Sequence, residues 1–242
     1  MSKLVIFTGA GISAESGIST FRGTNGLWEG HNINEVCNYL TWRENYAEVH
    51  EFYNKRRMAL SNAQPNSAHH MVKSWQDRYD TTIITQNIDD LFERAGCKNV
   101  MHVHGFATAM RCIACGNEWD IGYTEWNAGV DECSESFCHC KNAIKPDVIF
   151  FNEIAPKYRN MNNTLRDLTA DDIVVVIGTS SNVVNIAGML ESKTCYKILN
   201  NLSESESLVL QDTEERSFDL KLFKPASEAI VQIDTELNHR LG

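Results

Sequence analysis

The chain has 242 residues, 43% hydrophobic and 22% charged, which is enough for one or two domains with a sizeable core of ordinary globular composition. A formal net charge of -10 opposes nonspecific adhesion to nucleic acid, because a phosphate backbone rewards basic stripes and the clearest basic run, Lys55-Arg56-Arg57, is short. No apolar stretch reaches the roughly 20 residues that cross a bilayer, and Lys3 is followed by four apolar residues and then a glycine turn, leaving no room for a secretion-signal core.

A cytoplasmic location is expected, with the eight cysteines mostly reduced and with neither membrane nor direct nucleic-acid partners. In chain order, residues 4–7 predict a strand that runs into Gly9-Ala10-Gly11-Ile12-Ser13-Ala14. A glycine turn there lets backbone N–H groups approach a pyrophosphate, and the helix that follows offers its positive end to the anion. An ordinary dinucleotide-binding unit would continue with a second strand and an acid about 20 residues on. Here residues 15–29 read as an ordered loop, and Glu29 follows no second strand, which disfavours a standard hydride-transfer dehydrogenase.

Residues 34–62 and 67–79 read as helices separated at Pro65. Short β-branched runs recur at 82–85, 100–104, 148–151, 173–177, 196–199 and 230–233, several continuously apolar, as in strands covered on both faces. The expected fold is α/β: an open, mainly parallel, Rossmann-like sheet with helices on both sides. Residues 203–216 are polar and acidic and read as an exposed loop.

Between 111 and 141 the composition changes to five of the eight cysteines, several acids and few aliphatics, so a metal is expected to replace a conventional core. Cys112-x-x-Cys115 and Cys138-x-Cys140 offer four thiolates in two local pairs, suited to one tetrahedral zinc per chain. Cys133 and His139 compete with Cys138 for the place beside Cys140. Four thiolates leave no open position for an activated water, so the metal reads as structural. Cys37, Cys97 and Cys195 are isolated and read as packing residues.

Two further motifs carry chemistry: Gln86-Asn87-Ile88-Asp89 and His102-Val103-His104-Gly105. On a strand His102 and His104 would share a face. Asn87 and Asp89 also suit the cap of a helix expected over 90–95. The segments GAGISAESGISTFRG at 9–23, TQNID at 85–89, HVHG at 102–105, the paired cysteines between 112 and 140, KPDVIFF at 145–151 and GTS at 178–180 occur in one order across most of the chain. Together they resemble the sirtuin family.

The resemblance implies NAD-dependent removal of acyl groups from lysines of proteins or peptides, with release of nicotinamide and O-acyl-ADP-ribose. His104 would be the general base, for which an imidazole titrates in the right range. His102 would support it, Asn87 would contact ribose and order water, and Asp89 would meet the nicotinamide carboxamide. Gly9, Ala10, Gly11, Ser13, Ala14, Phe21, Arg22, Trp28, Gln86, Ile88, Gly178, Thr179, Ser180, Asn200 and Ala226 would complete the NAD site. By the same resemblance, residues 1–30, 80–110 and 142–242 form the NAD-binding domain. Residues 31–79 form a helical insertion that contributes the acyl-lysine pocket, and 111–141 form the zinc module.

Tyr53 and Arg56, three apart on a helix, share a face. Tyr-x-x-Arg at this point resembles the pair by which class III sirtuins recognise acidic acyl groups, which implies a preference for succinyl- and malonyl-lysine over acetyl-lysine. The competing reading is a solvated basic face with Tyr53 in the core. Departures from the family pattern are Asn152 after Phe150-Phe151, residues 181–185 after the GTS segment, and Asn200-Asn201. NAD hydrolysis or ADP-ribosyl transfer would use the same pocket, and a non-catalytic NAD-responsive binding protein is the alternative from another class. The oligomeric state is left open, a monomer being compatible with the chain.

Overall fold

The computed structural model describes residues 2–20, 27–28, 30–135, 138, 140, 142–203 and 218–242, excluding the side chains of 27 and 28. Phe21, Arg22, Glu29, Phe137, His139, the Trp28 side chain and residues 204–216 of the expected acidic loop therefore lie outside the described residues.

The first strand, β1 (Lys3–Thr8), is buried from Leu4 to Thr8 and ends in a 3-10 helix, Ala10–Ser16, rather than an α-helix. A short antiparallel pair follows, β2 (Leu27–Trp28) with β3 (His31–Asn32), and then α1 (Ile33–Val36), α2 (Tyr46–Asn62) and α3 (Ser67–Arg78). The single helix expected over 34–62 is thus two helices. Asn38 causes the break: its side-chain oxygen accepts from the N–H of Leu40, a local turn that competes with helix. Asn66 caps α3, accepting from the N–H groups of Ala68 and His69 while its own N–H meets His69 Nδ1.

Next come β4 (Asp80–Thr85), α4 (Leu91–Arg94), β5 (Met101–His102), β6 (Gly105–Cys112), β7 (Glu118–Asp120) and β8 (Ile144–Val148). The chain then continues through α5 (Tyr158–Arg166), β9 (Ile173–Ile177), α6 (Ile186–Leu190), β10 (Tyr196–Asn201), β11 (Leu220–Phe223) and α7 (Ala226–Leu241). The main sheet is parallel, ordered β11-β10-β9-β1-β4-β5. The chain leaves β1 toward one edge, then returns to lay β9 on the other side of β1. The gap between the carboxyl ends of β1 and β9 is therefore the point where strand order reverses, where open α/β sheets bind ligands.

One apolar layer packs Leu4, Ile6, Ile83, Val175 and Ile198 against Trp75 of α3 and Ile230 and Ile233 of α7. The opposite layer packs Val5, Phe7, Val174 and Val176 against Met161 and Leu165 of α5 and Leu190 of α6. The helices thus flank both faces, which is why the strands are continuously apolar.

Two expected strands are corrected. Residues 230–233 belong to α7, where Ala226, Ala229, Ile230, Ile233 and Leu237 are buried at helical spacing and Val231 is exposed. A four-residue apolar run does not distinguish strand from helix; its unbroken 16-residue context does. Residues 148–151 do not form a parallel strand of the main sheet. Val148 ends β8, which pairs antiparallel with β6 in a separate three-stranded sheet, β7-β6-β8, that carries the cysteines.

Gly105, at the junction of β5 and β6, has φ +80°, and a Cβ there would sit 1.9 Å from the carbonyl oxygen of Asp147. Gly105→Ala is expected to destabilise the fold by more than about 2 kcal/mol, through positive-φ strain and overpacking combined. Urea denaturation measures this, and a loss under about 0.5 kcal/mol would contradict the stated contact.

Candidate active site

The loops after β1 and β9 meet backbone to backbone. The N–H of Gly9 donates to Ile177 O at 3.0 Å and that of Gly11 to Gly178 O at 2.8 Å. A Cβ on Gly11 would lie 2.5 Å from Gly178 Cα, and Gly178 itself has φ +64°. Glycine at all three places lets the loops touch and leaves a cavity of about 880 Å³ above the strand ends. Its walls include Gly9, Ala10, Gly11 and Ala14 from the first loop, Gln86 to Asp89 after β4, Gly178, Thr179 and Ser180 after β9, and Asn200 and Ala226. Gln86 Nε2 donates to Thr179 Oγ1 at 3.0 Å, joining two walls, while the Asn200 amide is spent on the carbonyls of Leu222 and Lys224.

Ser13 lies behind the wall, fully buried. Its hydroxyl donates to Asp89 Oδ2 at 2.8 Å and accepts from Asn87 Nδ2 at 2.9 Å. Asp89 Oδ1 also accepts from the N–H of Leu91, so Asp89 caps α4 and faces the cavity at once. Burial pushes its carboxyl pKa up; the hydrogen bonds from Ser13 and the Leu91 backbone oppose that shift.

Both histidines hang from the same loop. His102 Nδ1 donates to Asn87 O at 2.9 Å and its Nε2 meets Glu93 Oε1 at 3.0 Å, which removes this ring from the cavity. His104 Nδ1 donates to Gln86 O at 3.0 Å, and its other nitrogen faces the cavity with Tyr158 Oη at 2.7 Å. A carbonyl can only accept, so the proton of the neutral ring sits on Nδ1 and Nε2 is the basic atom. Burial lowers the His104 pKa below the ordinary imidazole value, against the opposing pull of the Gln86 carbonyl.

A glycine-walled crevice at a sheet reversal, lined by an imidazole whose Nδ1 is held by a backbone carbonyl, matches a known family. Residues 9–185 fit the model of the Sir2 family. The chain belongs to the Sir2 family. It is 40% identical to an NAD-dependent protein deacylase of Helicobacter hepaticus, the match covering 98% of each chain. Among solved structures, a Sir2 homologue variant in complex with ADP-ribose is 29% identical with a TM-score of 0.82, covering 99% of this chain and 93% of the other. A Sir2 homologue solved with NAD is 30% identical, with a TM-score of 0.81 and coverage of 99% and 91%.

In this Sir2 chain Tyr53 and Arg56 part company. Arg56 lines the cavity, its guanidinium 4.6 Å from the centre of the Phe52 ring, and burial lowers its pKa to about 10, which leaves it cationic at neutral pH. Tyr53 does not line it. The ring is fully buried, stacked on Phe150 at 5.8 Å, with its hydroxyl donating to Cys37 Sγ at 3.6 Å. That is the core position of the competing reading, and Cys37, not Tyr53, reaches the cavity. Lys55, Cys37 and Tyr158 are wall residues that sequence reasoning did not single out. Lys55 stood within the basic run; Cys37 and Tyr158 are placed by tertiary packing and carry no local signal.

All five clustered cysteines of the Sir2 chain converge. The four sulfurs mutually within 4.8 Å belong to Cys112, Cys115, Cys133 and Cys138. Cys133, the alternative that the sequence left open, thus joins Cys138 in this set, with Cys140 adjacent to it. Zinc–sulfur bonds of about 2.3 Å in a tetrahedron set sulfurs roughly 3.8 Å apart; Cys112 to Cys138 and Cys115 to Cys133 are each 3.7 Å apart. The donor set fits zinc. Cys140 lies 3.0 Å from Cys112 and is paired with Cys138, so a four-thiolate site requires that pair reduced; the other six cysteines are free, in keeping with mostly reduced thiols. Metal analysis of the purified, reduced protein is expected to give about one zinc per chain. Cys133→Ser should lower zinc retention against a chelator at least as much as Cys140→Ser; the reverse order would return Cys140 to the set.

Proposed function

We propose that this Sir2 protein is an NAD-dependent protein-lysine deacylase that prefers succinyl and malonyl groups and also accepts acetyl. The carrying observation is His104: a half-buried imidazole held through Nδ1 by Gln86 O, in the same cavity as the glycine loops of the sheet reversal. The 40% identity to a deacylase over nearly the whole chain supports the same reaction class.

In this reading the loops at Gly9 to Ala14 and Gly178 to Ser180 receive the pyrophosphate and adenosine side of NAD, and Phe21, Arg22 and Trp28 act with them. Gln86 and Asn87 take the ribose side, and Asp89 the carboxamide. When bound, NAD supplies the electrophilic ribose carbon from which nicotinamide departs, and so activates an amide that is inert at neutral pH. His104 takes up a ribose hydroxyl proton at Nε2, and the Gln86 carbonyl stabilises the imidazolium that forms. The Ser13 hydroxyl fixes the Asn87 and Asp89 side chains, so both are in place before the substrates arrive. Residues 31–79 supply the acyl side and the cysteine module braces it. Acylated proteins or peptides are the partners, in the cytoplasm.

Acyl choice follows from a cation in an apolar wall. Arg56 can hold a terminal carboxylate through two parallel N–H donors, with Lys55 beside it on the wall, whereas acetyl offers no charge to either. Tyr53 then acts by fixing Phe52 and Cys37. Arg56→Met is expected to reduce kcat/KM for succinyl-lysine peptide about 10- to 100-fold and that for acetyl-lysine peptide by less than about threefold. Equal losses would show that Arg56 supports the fold and does not read the acyl group. Mass spectrometry of the products should find acylated ADP-ribose; free ADP-ribose without peptide turnover would mean NAD hydrolysis.

The pH profile has a set sign. The base works neutral, and burial lowers the His104 pKa, so the ring stays competent to more acid pH than an ordinary histidine. The acid limb of kcat/KM should therefore fall below about pH 6.5. A limb centred above pH 7 would remove His104 as the titrating base.

A further inference from the structure

His104 Nε2 already has a donor. Tyr158, the first residue of α5, places its hydroxyl 2.7 Å away, and the ring centres stand 5.8 Å apart at 44°, so the two side chains meet through the hydroxyl and not by stacking. Because Nδ1 donates to the Gln86 carbonyl, Nε2 carries the one in-plane lone pair of the neutral ring, and the Tyr158 hydroxyl must donate into it. One such lone pair takes one well-aligned donor. A ribose hydroxyl can reach it only when Tyr158 has left.

We propose that Tyr158 is a positioning residue that holds the His104 ring in its working tautomer in the free protein and yields Nε2 to a ribose hydroxyl when NAD binds. The proposal rests on the reading of His104 as the base. Three features support it. The Tyr158 hydroxyl gives this half-buried ring nitrogen a fixed donor, so the ring is held at both nitrogens while the site is empty of substrate. Both side chains line the one cavity, so hydroxyl and ligand compete for the same space. Tyr158 is half-buried at the rim of the layer that holds Met161 and Leu165, and it follows a stretch in which Asn152, Pro156 and Lys157 are exposed and Ile154 is 88% exposed, so its ring can swing aside at the cost of a rim contact and not of a core position. Exchange of one O–H···N bond for another keeps the imidazole satisfied throughout, and the displaced bond appears as weakened NAD affinity.

Tyr158→Phe keeps the ring and removes the donor. Its NAD dissociation constant, measured by calorimetry, and its KM for NAD are expected to fall about two- to tenfold, with a smaller change in kcat. In a His104→Ala background the same substitution should leave NAD affinity unchanged, because the partner is gone. A merely structural tyrosine would give neither the gain in affinity nor its dependence on His104. Unchanged or weaker NAD binding by Tyr158→Phe, or an equal gain in both backgrounds, overturns the proposal. Tyr158→Leu repeats the measurement should the phenylalanine protein not fold. The base assignment is tested separately by His104→Ala: deacylation that survives this change sinks the base, whatever the affinities show, whereas its loss with no Tyr158 effect sinks only the exchange.

Discussion

The contact between the loops that follow β1 and β9 is the constraint on which the site depends. Gly9 and Gly11 lie against Gly178 so closely that any Cβ at Gly11 or Gly178 would overlap backbone. Backbone cannot be repacked like a side chain, so the two halves of the parallel sheet keep a fixed spacing at the reversal point. The crevice above them is the direct result. Its floor presents main-chain groups and small side chains, and the groups that could act on a ligand come in from the walls: the loop after β4, the end of β5 and the start of α5.

The second organising element is α2. Its buried face carries His50 and Arg57 among Val49, Phe52, Tyr53 and Leu60, which explains why it lacks a clean apolar stripe. Toward the cysteine module it presents His50, Asn54 and Arg57. His50 Nε2 donates to Ile144 O, Asn54 exchanges two hydrogen bonds with the backbone of Trp126, and the fully buried Arg57 donates to Thr124 O and Ala107 O. Those bonds satisfy a buried charge that would otherwise be strongly unfavourable. Toward the cavity the same helix presents Lys55 and Arg56. The cysteine cluster and the Lys55–Arg56 wall of the cavity are therefore joined through one helix.

Burial tunes the polar groups of the cavity in a consistent direction. It lowers the pKa of His104 and raises that of Asp89, favouring the neutral form of each, while Arg56 remains charged because a guanidinium starts so high. The result is a wall on which the cationic side chains of Lys55 and Arg56 stand beside hydrogen-bonded groups that burial biases toward their neutral forms. Lys145 and Glu153 form a further buried pair at 3.2 Å; Lys145 also donates to Val148 O, and Glu153 accepts from the N–H of Phe150. They fix the turn that carries Phe150 at the cavity wall.

The sequence by itself determined what depends on local chemistry. Continuous apolar runs at β1 and β9, β-branched or aliphatic pairs in β4 and β10, glycines where no Cβ fits, the Asn87-to-Asp89 and His104 motifs, and the clustered cysteines are each legible within a few residues, because strand burial, backbone approach and ligand spacing leave local marks. Only the tertiary structure decided matters set by distant partners. It placed 230–233 in a helix through its packing on the sheet, turned 144–148 into an antiparallel pair with β6, and broke 34–62 at Asn38. It brought Cys133 into the thiol cluster from outside the paired motifs, and sank Tyr53 into the core against Phe150 while leaving Arg56 at the cavity. It also set Tyr158, 54 residues from His104, onto the basic nitrogen. A hydrogen bond across that separation has no spacing rule, so nothing short of the folded chain could reveal it.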